Sequence, residues 1–370
     1  MEERKEYRLG ELLTIKYGKD HKKLHNGSIP AYGSGGIMRY VDKSIYEYPS
    51  ILIPRKGSLN NIIYIDTPFW TVDTMFWTII NTELVDPKYL YYAICKFDFA
   101  GLNVGSAVPS LTVPVIENIK IILPSLNQQK NIASILSSLD DKIKLNRRIN
   151  ENLEQQAQAL FDFHFIQHPE KLGSYERGSL IDIANYINGL AMQKFRPQIE
   201  EKGIPVLKIK ELGQGRTDSS SDICSENISK EYIINDGDVI FSWSGTLMVN
   251  IWCGGLCGLN QHLFKVTSDK YPKWFYYFWT KYHLGKFIRI AKDKAVTMGH
   301  IKRGDLEKSE VLIPEIETLS KLDEIISPIL NQIIGIKCEN RNLENLRDTL
   351  LPKLMSGEIK LSEIETKLDE

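Results

Sequence analysis

Two kinds of hydrophobic pattern alternate along the chain. Residues 7–124 carry short apolar runs of strand length, Ser50-Ile51-Leu52-Ile53, Ile62-Ile63-Tyr64-Ile65 and Thr74-Met75-Phe76-Trp77-Thr78-Ile79-Ile80, with turn chemistry near Gly33–Gly36 and Lys56–Asn60. A helix is predicted over Pro87–Phe97, where proline suits the first helical position. From Gln128 the period changes. Ile132, Ile135, Leu139, Ile149, Leu153 and Leu160 fall on heptad a and d positions, with Lys142, Asn146 and Gln156 in the remaining slots, the seam of a coiled coil. The succession then repeats: strands at Val206–Ile209, Asp238–Phe241 and His262–Val266, a helix from Pro272, and a second seam. That seam comprises Leu322, Ile325, Ile329, Ile336, Leu343, Leu346 and Leu350, with Gln332 and Glu339 as polar insertions. Pro328 and Gly335 are expected to kink or delay the second helix.

The repetition reaches individual residues. At a shift of 190, Leu123-Pro124 meets Ile313-Pro314, Asn150 meets Asn340, and Asn152-Leu153-Glu154 meets Asn342-Leu343-Glu344. The chain is therefore two versions of one unit. Strands and helices mixed without a βαβ rhythm predict α+β heads, each followed by a long helix. About 35 residues at 1.5 Å each reach roughly 50 Å, more than one small head covers, which favours pairing of the helices over each lying on its own head. The expected segments are a head at 1–124, a helix at 125–166, a linker at 167–177, a head at 178–314, a helix at 315–357 and an acidic tail at 358–370.

Composition changes the picture in one respect. The formal net charge is −1, but it divides unevenly: +1 over residues 1–124, 0 over 125–177, +3 over 178–314 and −5 over 315–370. The heads are mildly basic, weaker than the basic stripe of a stand-alone DNA binder, so backbone affinity would come in large part from partners. Five scattered cysteines and the lack of any long apolar run point to a cytoplasmic chain with no membrane segment.

The first helix entry reads Ile121-Ile122-Leu123-Pro124-Ser125-Leu126-Asn127-Gln128-Gln129-Lys130-Asn131-Ile132, and the second helix ends Leu350-Leu351-Pro352-Lys353-Leu354-Met355-Ser356-Gly357-Glu358-Ile359. With the order head, helix, head, helix over nearly the whole chain, these segments make the protein resemble the specificity subunit of Type I restriction-modification enzymes. The second entry departs from the pattern, with Glu317-Thr318-Leu319-Ser320 where Gln128-Gln129 stands in the first. The resemblance implies that each head is a target-recognition domain reading one half of an asymmetric bipartite DNA sequence. It implies helices paired as an antiparallel coiled coil that sets the spacer and docks two modification subunits. Those subunits, which bind S-adenosylmethionine and methylate adenine, are implied to be separate chains, as is an ATP-driven restriction subunit.

The residues themselves favour a non-catalytic chain. There is no G-x-x-x-x-G-K-[ST] loop, no Asn-Pro-Pro-aromatic or Asp-Pro-Pro-aromatic run, and no paired-carboxylate signature. Gly33-Ser34-Gly35-Gly36 reads as a turn, and Cys253, Cys257 and His262 lack a fourth ligand at zinc spacing. Candidate phosphate anchors are Lys19, Lys22 and Lys23 in the first head and Lys292, Lys294, Lys302 and Arg303 in the second. Candidate base readers are Arg55, Lys56 and Ser58, matched at a shift of 188 by Trp243, Ser244 and Thr246. Ser106, Ser110 and Thr112 face a comparable stretch with Thr297 and His300. Against DNA recognition stand two alternatives, a coiled-coil scaffold without its own readout and a self-sufficient DNA-modifying enzyme.

Overall fold

The computed structural model describes residues 4–105, 108–293 and 300–359. It divides into two compact units, one of residues up to 141 together with those from 345 onward, the other of residues 142–344.

The first unit begins β1 (Lys5–Arg8), α1 (Leu9–Leu12), β2 (Leu13–Tyr17), β3 (Asn26–Gly33) and β4 (Gly36–Val41). It continues β5 (Ser50–Pro54), β6 (Ile63–Ile65), β7 (Trp70–Thr71), β8 (Met75–Ile80), α2 (Pro87–Ile94), α3 (Val113–Glu117) and β9 (Lys120–Leu123), before α4 (Leu126–Phe161) starts. An antiparallel sheet runs β2-β8-β5-β6, and a second runs β4-β3-β7 with β3 and β7 parallel. Every residue of β5 is buried, the polar Ser50 included, whose Oγ donates to Thr78 O (2.7 Å) on the neighbouring strand. The Asp86 carboxylate accepts from the Tyr89 amide (2.9 Å) just ahead of Pro87, so α2 starts with an N-cap and an N1 proline. The core gathers Leu9, Ile53, Phe76, Leu90 and Phe99 against Ile132, Ala133 and Leu136 of α4 and against Leu354 and Met355.

The second unit repeats this plan. It runs β10 (Tyr175–Ser179), α5 (Leu180–Ile183), β11 (Asn185–Asn188), β12 (Ile204–Leu207), α6 (Ile209–Gln214), β13 (Ile223–Cys224) and β14 (Ile233–Ile234). Then follow β15 (Val239–Ser242), β16 (Met248–Ile251), β17 (Cys257–Leu259), β18 (Leu263–Thr267), α7 (Lys273–Asp293), α8 (Arg303–Glu307), β19 (Glu310–Pro314) and α9 (Ile316–Ser356). The sheet order β11-β18-β15-β16 reproduces β2-β8-β5-β6 strand for strand. The pair β12 and β17 is parallel, like β3 and β7. Single backbone bonds recur as well: the Leu9 amide donates to Ile119 O (2.8 Å), and the Leu180 amide to Ser309 O (3.1 Å). Additions are confined to the longer connection from β11 to β15, which carries α6, and to α7, which outlasts α2.

The two long helices run antiparallel within each unit. In the first, Arg347 Nη1 donates to Asp140 Oδ1 (2.7 Å), and Tyr92 Oη donates to Asp140 Oδ2 (2.5 Å). Burial and that hydrogen bond to the carboxylate both push the Tyr92 phenol pKa upward. In the second, Asn146 Nδ2 donates to Asn340 Oδ1 (2.9 Å) and Glu339 Oε2 (2.8 Å), while Lys337 pairs with Glu154 (2.7 Å). Numbers on α9 fall as those on α4 rise. Helix α9 ends after Ser356 because Gly357 takes φ +78°, letting its amide reach Leu354 O and that of Glu358 reach Lys353 O.

Three expectations change here. The buried row on α4 is Gln129, Ile132, Ala133, Leu136, Ile143, Asn146, Asn150, Ala157 and Phe161, so it is displaced from the expected Ile135, Leu139, Ile149 and Leu160, which are half-buried. On α9 the buried row contains Leu322, Ile326, Leu330, Ile333 and Asn340, whereas Ile325 is 53% and Leu346 46% exposed. Asn146, expected in the seam, is 1% exposed and bonded to Asn340, but Asn150 and Asn340 take the buried slots next to the expected Ile149 and Glu339, so counting from the apolar residues selects the neighbouring row. Second, α9 passes through Pro328 and Gly335 without a break, both residues lying on its exposed side where a freed carbonyl meets solvent. Third, Tyr175–Arg177, expected within a linker, belong to β10, which pairs with β19. Their polar character hides a strand whose partner is distant in sequence.

Candidate nucleic-acid interface

At one end of the main sheet in the first unit, β2 finishes at Tyr17, β5 finishes ahead of Arg55, and β8 begins after Asp73-Thr74. The Arg55 amide donates to Thr74 O (2.8 Å), and its guanidinium lies 5.3 Å from the centre of the Tyr17 ring, with Nη1 donating to Asp73 O (3.3 Å). The segment before α3 joins this end. Lys56 and Ser110 form an isolated β-bridge, the Leu111 amide donates to Arg55 O (2.9 Å), and the Gly57 amide donates to Pro109 O (3.1 Å). Gly57 sits at φ +87°, the left-handed region that turns the strand toward that segment.

The second unit builds the same end from different side chains. Ser244 and His300 form the isolated bridge, the Ile301 amide donates to Trp243 O (3.0 Å), and Gly245 takes φ +64°. Trp243 fills the slot of Arg55. Its Nε1 donates to Asn188 Oδ1 (3.0 Å) at the end of β11, and its ring lies 6.0 Å from His262 and 5.9 Å from His300. Five positions thus correspond: Tyr17 and Asn188, Arg55 and Trp243, Asp73 and Gln261, Thr74 and His262, Ser110 and His300. All five differ in chemistry, while the turn glycine is common to both.

The candidate residues distribute unevenly over this geometry. Arg55, Lys56, Ser110, Trp243, Ser244 and His300 meet at the bridges. Trp243 is half-buried, and Ser244 is only 7% exposed, joining the loop through its backbone, which bridges to His300 and accepts from Ser242 Oγ. Ser58 and Thr246 stand exposed just beyond the turn glycines. Thr112 and Lys302 occupy the N-cap positions of α3 and α8, both exposed. Arg303 follows in the first turn of α8, within 3.9 Å of Glu307. Lys19 lies next to the cluster, its amide bonded to Thr71 O (2.8 Å), with Lys22 and Lys23 exposed further along the same loop. Lys292 is exposed on the last turn of α7, on a helix extension with Lys286 and Arg289 that α2 lacks. Ser106, Lys294 and Thr297 lie outside the described residues.

Reasoning from the sequence missed Tyr17, Asp73, Thr74, Asn188, Gln261 and His262 as members of this end. The signal was available: Tyr17 and Asn188 correspond at a shift of 171, not at the 188 to 190 that aligns the later elements. Among the described residues no group of three or more His, Cys, Asp or Glu could hold a metal ion, and no helix is long and apolar enough to cross a membrane.

Comparison with known proteins gives a consistent picture. A family model described as the Type I restriction modification DNA specificity domain matches residues 1–155 and again 174–347. The specificity subunit of the Type I restriction enzyme MjaIX of Methanocaldococcus jannaschii is 27% identical, over 90% of this chain and 84% of that protein. The HindI specificity subunit of Haemophilus influenzae is 20% identical, over 75% of this chain and 79% of that one. The crystal structure of the S subunit of a Type I restriction-modification system from M. genitalium has the same fold, with a TM-score of 0.65 at 17% identity over 95% of this chain and 96% of that one.

Proposed function

The chain belongs to the Type I restriction-modification DNA specificity family, and we propose that its two heads each read one half of an asymmetric bipartite DNA sequence. In this reading the paired helices set the number of unread base pairs between the halves and dock two adenine-methylating subunits. S-adenosylmethionine is bound by those partners and ATP by a restriction subunit, where one is present; this chain supplies recognition and no bond-making.

The observation that carries the reading is the pair of bridges, Lys56 with Ser110 and Ser244 with His300. One backbone frame presents two different sets of side chains, which is what two readers of unlike half-sites require. A scaffold has no need to vary these positions while keeping the turn. The frame ends in donors and acceptors suited to groove edges, with lysines on the flanking loops suited to phosphates.

Selection from a randomised duplex library by the full chain assembled with its modification subunits tests this. A bipartite, asymmetric consensus is expected, and exchanging residues 178–314 for the second head of another family member should change one half only. Methylation by the complex with no sequence preference would leave the scaffold reading instead. A second measurement concerns phosphate contacts. Replacing both Lys302 and Arg303 by alanine should reduce the slope of log K against log salt by about 1.8, at about 0.9 per neutralised phosphate. An unaltered slope would mark the two as solvated surface.

A further inference from the structure

The correspondence between the two sheet ends goes further than showing that the heads differ, because it isolates one couple of residues in each head. In the first, Arg55 rests against Tyr17; in the second, Asn188 accepts from Trp243. The same two slots are filled both times, one at the end of the first sheet strand and one after the third, but the polar reader has changed places. The aromatic partner braces it in each case.

The bracing decides what each reader can bind. A guanidinium has five donors, and Arg55 commits one of them to Asp73 O (3.3 Å), leaving a fork free. Held against a ring and half-buried, that fork loses less freedom on binding than a loose side chain and suits a planar acceptor pair. Lys56 beside it is exposed and better placed as a point charge for phosphate. Asn188 is exposed, and its Oδ1 spends one lone pair on Trp243 Nε1 (3.0 Å). The other lone pair and both Nδ2 hydrogens remain, the donor and acceptor set that matches N7 and the N6 amine of adenine.

We propose that Arg55, braced by Tyr17, reads the O6 and N7 edge of a guanine in one half-site, and that Asn188, fixed by Trp243, reads the N7 and N6 edge of an adenine in the other. This rests on the DNA-recognition reading above and adds to it the base and the residue. Neighbouring positions, Asp73 and Thr74 in one head and Gln261 and His262 in the other, then flank the base that is read.

The test uses the full chain assembled with its modification subunits and a randomised duplex library, comparing wild type with Arg55→Ala, Arg55→Lys and Asn188→Ala. Arg55→Ala should lower the preference for guanine at one position of one half-site by roughly 5- to 150-fold and leave the other half unchanged. Arg55→Lys, which keeps the charge and loses the fork, should relax the same position with the salt slope retained. Asn188→Ala should relax a single adenine in the opposite half-site by a similar factor. Uniform weakening on all sequences with a shallower salt slope would make Arg55 a phosphate contact and overturn the assignment. Relaxation at a base other than guanine for Arg55, or other than adenine for Asn188, overturns it equally. Thermal denaturation of the variants identifies any that lose their fold, and Arg55→Lys carries the test in that event. If wild type itself selects no bipartite sequence, the DNA-recognition reading has failed; if it does and the variants select the same consensus, only the assignment of these residues has failed.

Discussion

Replacing Phe161 by alanine is expected to destabilise the second unit by about 3–5 kcal/mol, the range for emptying a fully buried aromatic site. Phe161 is the last residue of α4 and 0% exposed. Its ring stacks on Phe165 (5.0 Å) and Phe278 (5.4 Å) and meets Trp279 edge-on (5.2 Å), so truncation removes the centre of an aromatic cluster whose other members sit on rigid helical backbone. Such surroundings close poorly over a void, which places the cost toward the upper part of the range. Urea denaturation of the full chain, followed by tryptophan fluorescence to which Trp274 and Trp279 of this cluster contribute, would read the change. A loss below 1 kcal/mol would mean that the cluster repacks and that α4 is not anchored through this ring. Phe161→Leu should recover part of the difference because it refills some of the volume.

The second large effect is expected from a single added methyl group. Gly189 follows β11, and a Cβ there would lie 2.2 Å from Asn260 O; Gly18 follows β2, and its Cβ would lie 1.9 Å from Val72 O. Both obstacles are backbone atoms, so no rotamer relieves them. The amides of these glycines donate to Leu263 O and Met75 O (3.0 Å each), closing the same corner beneath the candidate readers in both heads. Gly189→Ala and Gly18→Ala should each cost about 3 kcal/mol or more, overpacking against an immovable group. Each should also degrade recognition of one half-site, a different one for each substitution. Gly285→Ala is the matching control: it lies within α7, meets nothing within 4 Å, and should leave stability equal or raise it by up to about 1 kcal/mol. Equal melting behaviour for all three variants would show that the corner yields and that the close approach does not matter.

Much of the architecture could be read from residue patterns because those patterns are local. The apolar runs at Ser50–Ile53 and Thr74–Ile80, the proline before Tyr89, and the heptad spacing after Gln128 each report on neighbours a few residues away. The duplication could be read because it compares the chain with itself. That the turn at Arg55–Ser58 corresponds to Trp243–Thr246, and Ser110 to His300, was within reach for the same reason, but the bridges that join these segments within each head were not. The seam shows where this reasoning stops. Spacing put Asn146 in the seam and hydrophobicity ranks Ile149 above Asn150, yet Asn150 is buried and Ile149 only half-buried, one turn from the Asn146–Asn340 pair. The buried amide of Asn146 is tolerated because it is hydrogen-bonded to Asn340, a partner nearly two hundred residues away, whereas among the described residues the buried Oδ1 of Asn150 has none.

From composition, periodicity and self-comparison alone came two α+β heads of common descent, a long helix after each, and the absence of nucleotide-binding and methyltransferase signatures. Spatial structure was needed to choose the buried face of each helix, to recruit Tyr175–Arg177 into a strand with β19, and to seat Arg55 on Tyr17 and Trp243 on Asn188. The division follows contact distance. Helix and strand periods arise from bonds within a few residues, so they leave a local trace in the chain. Couples between loops depend on where separate strands end in space, and that is determined by the closure of the sheet around its core.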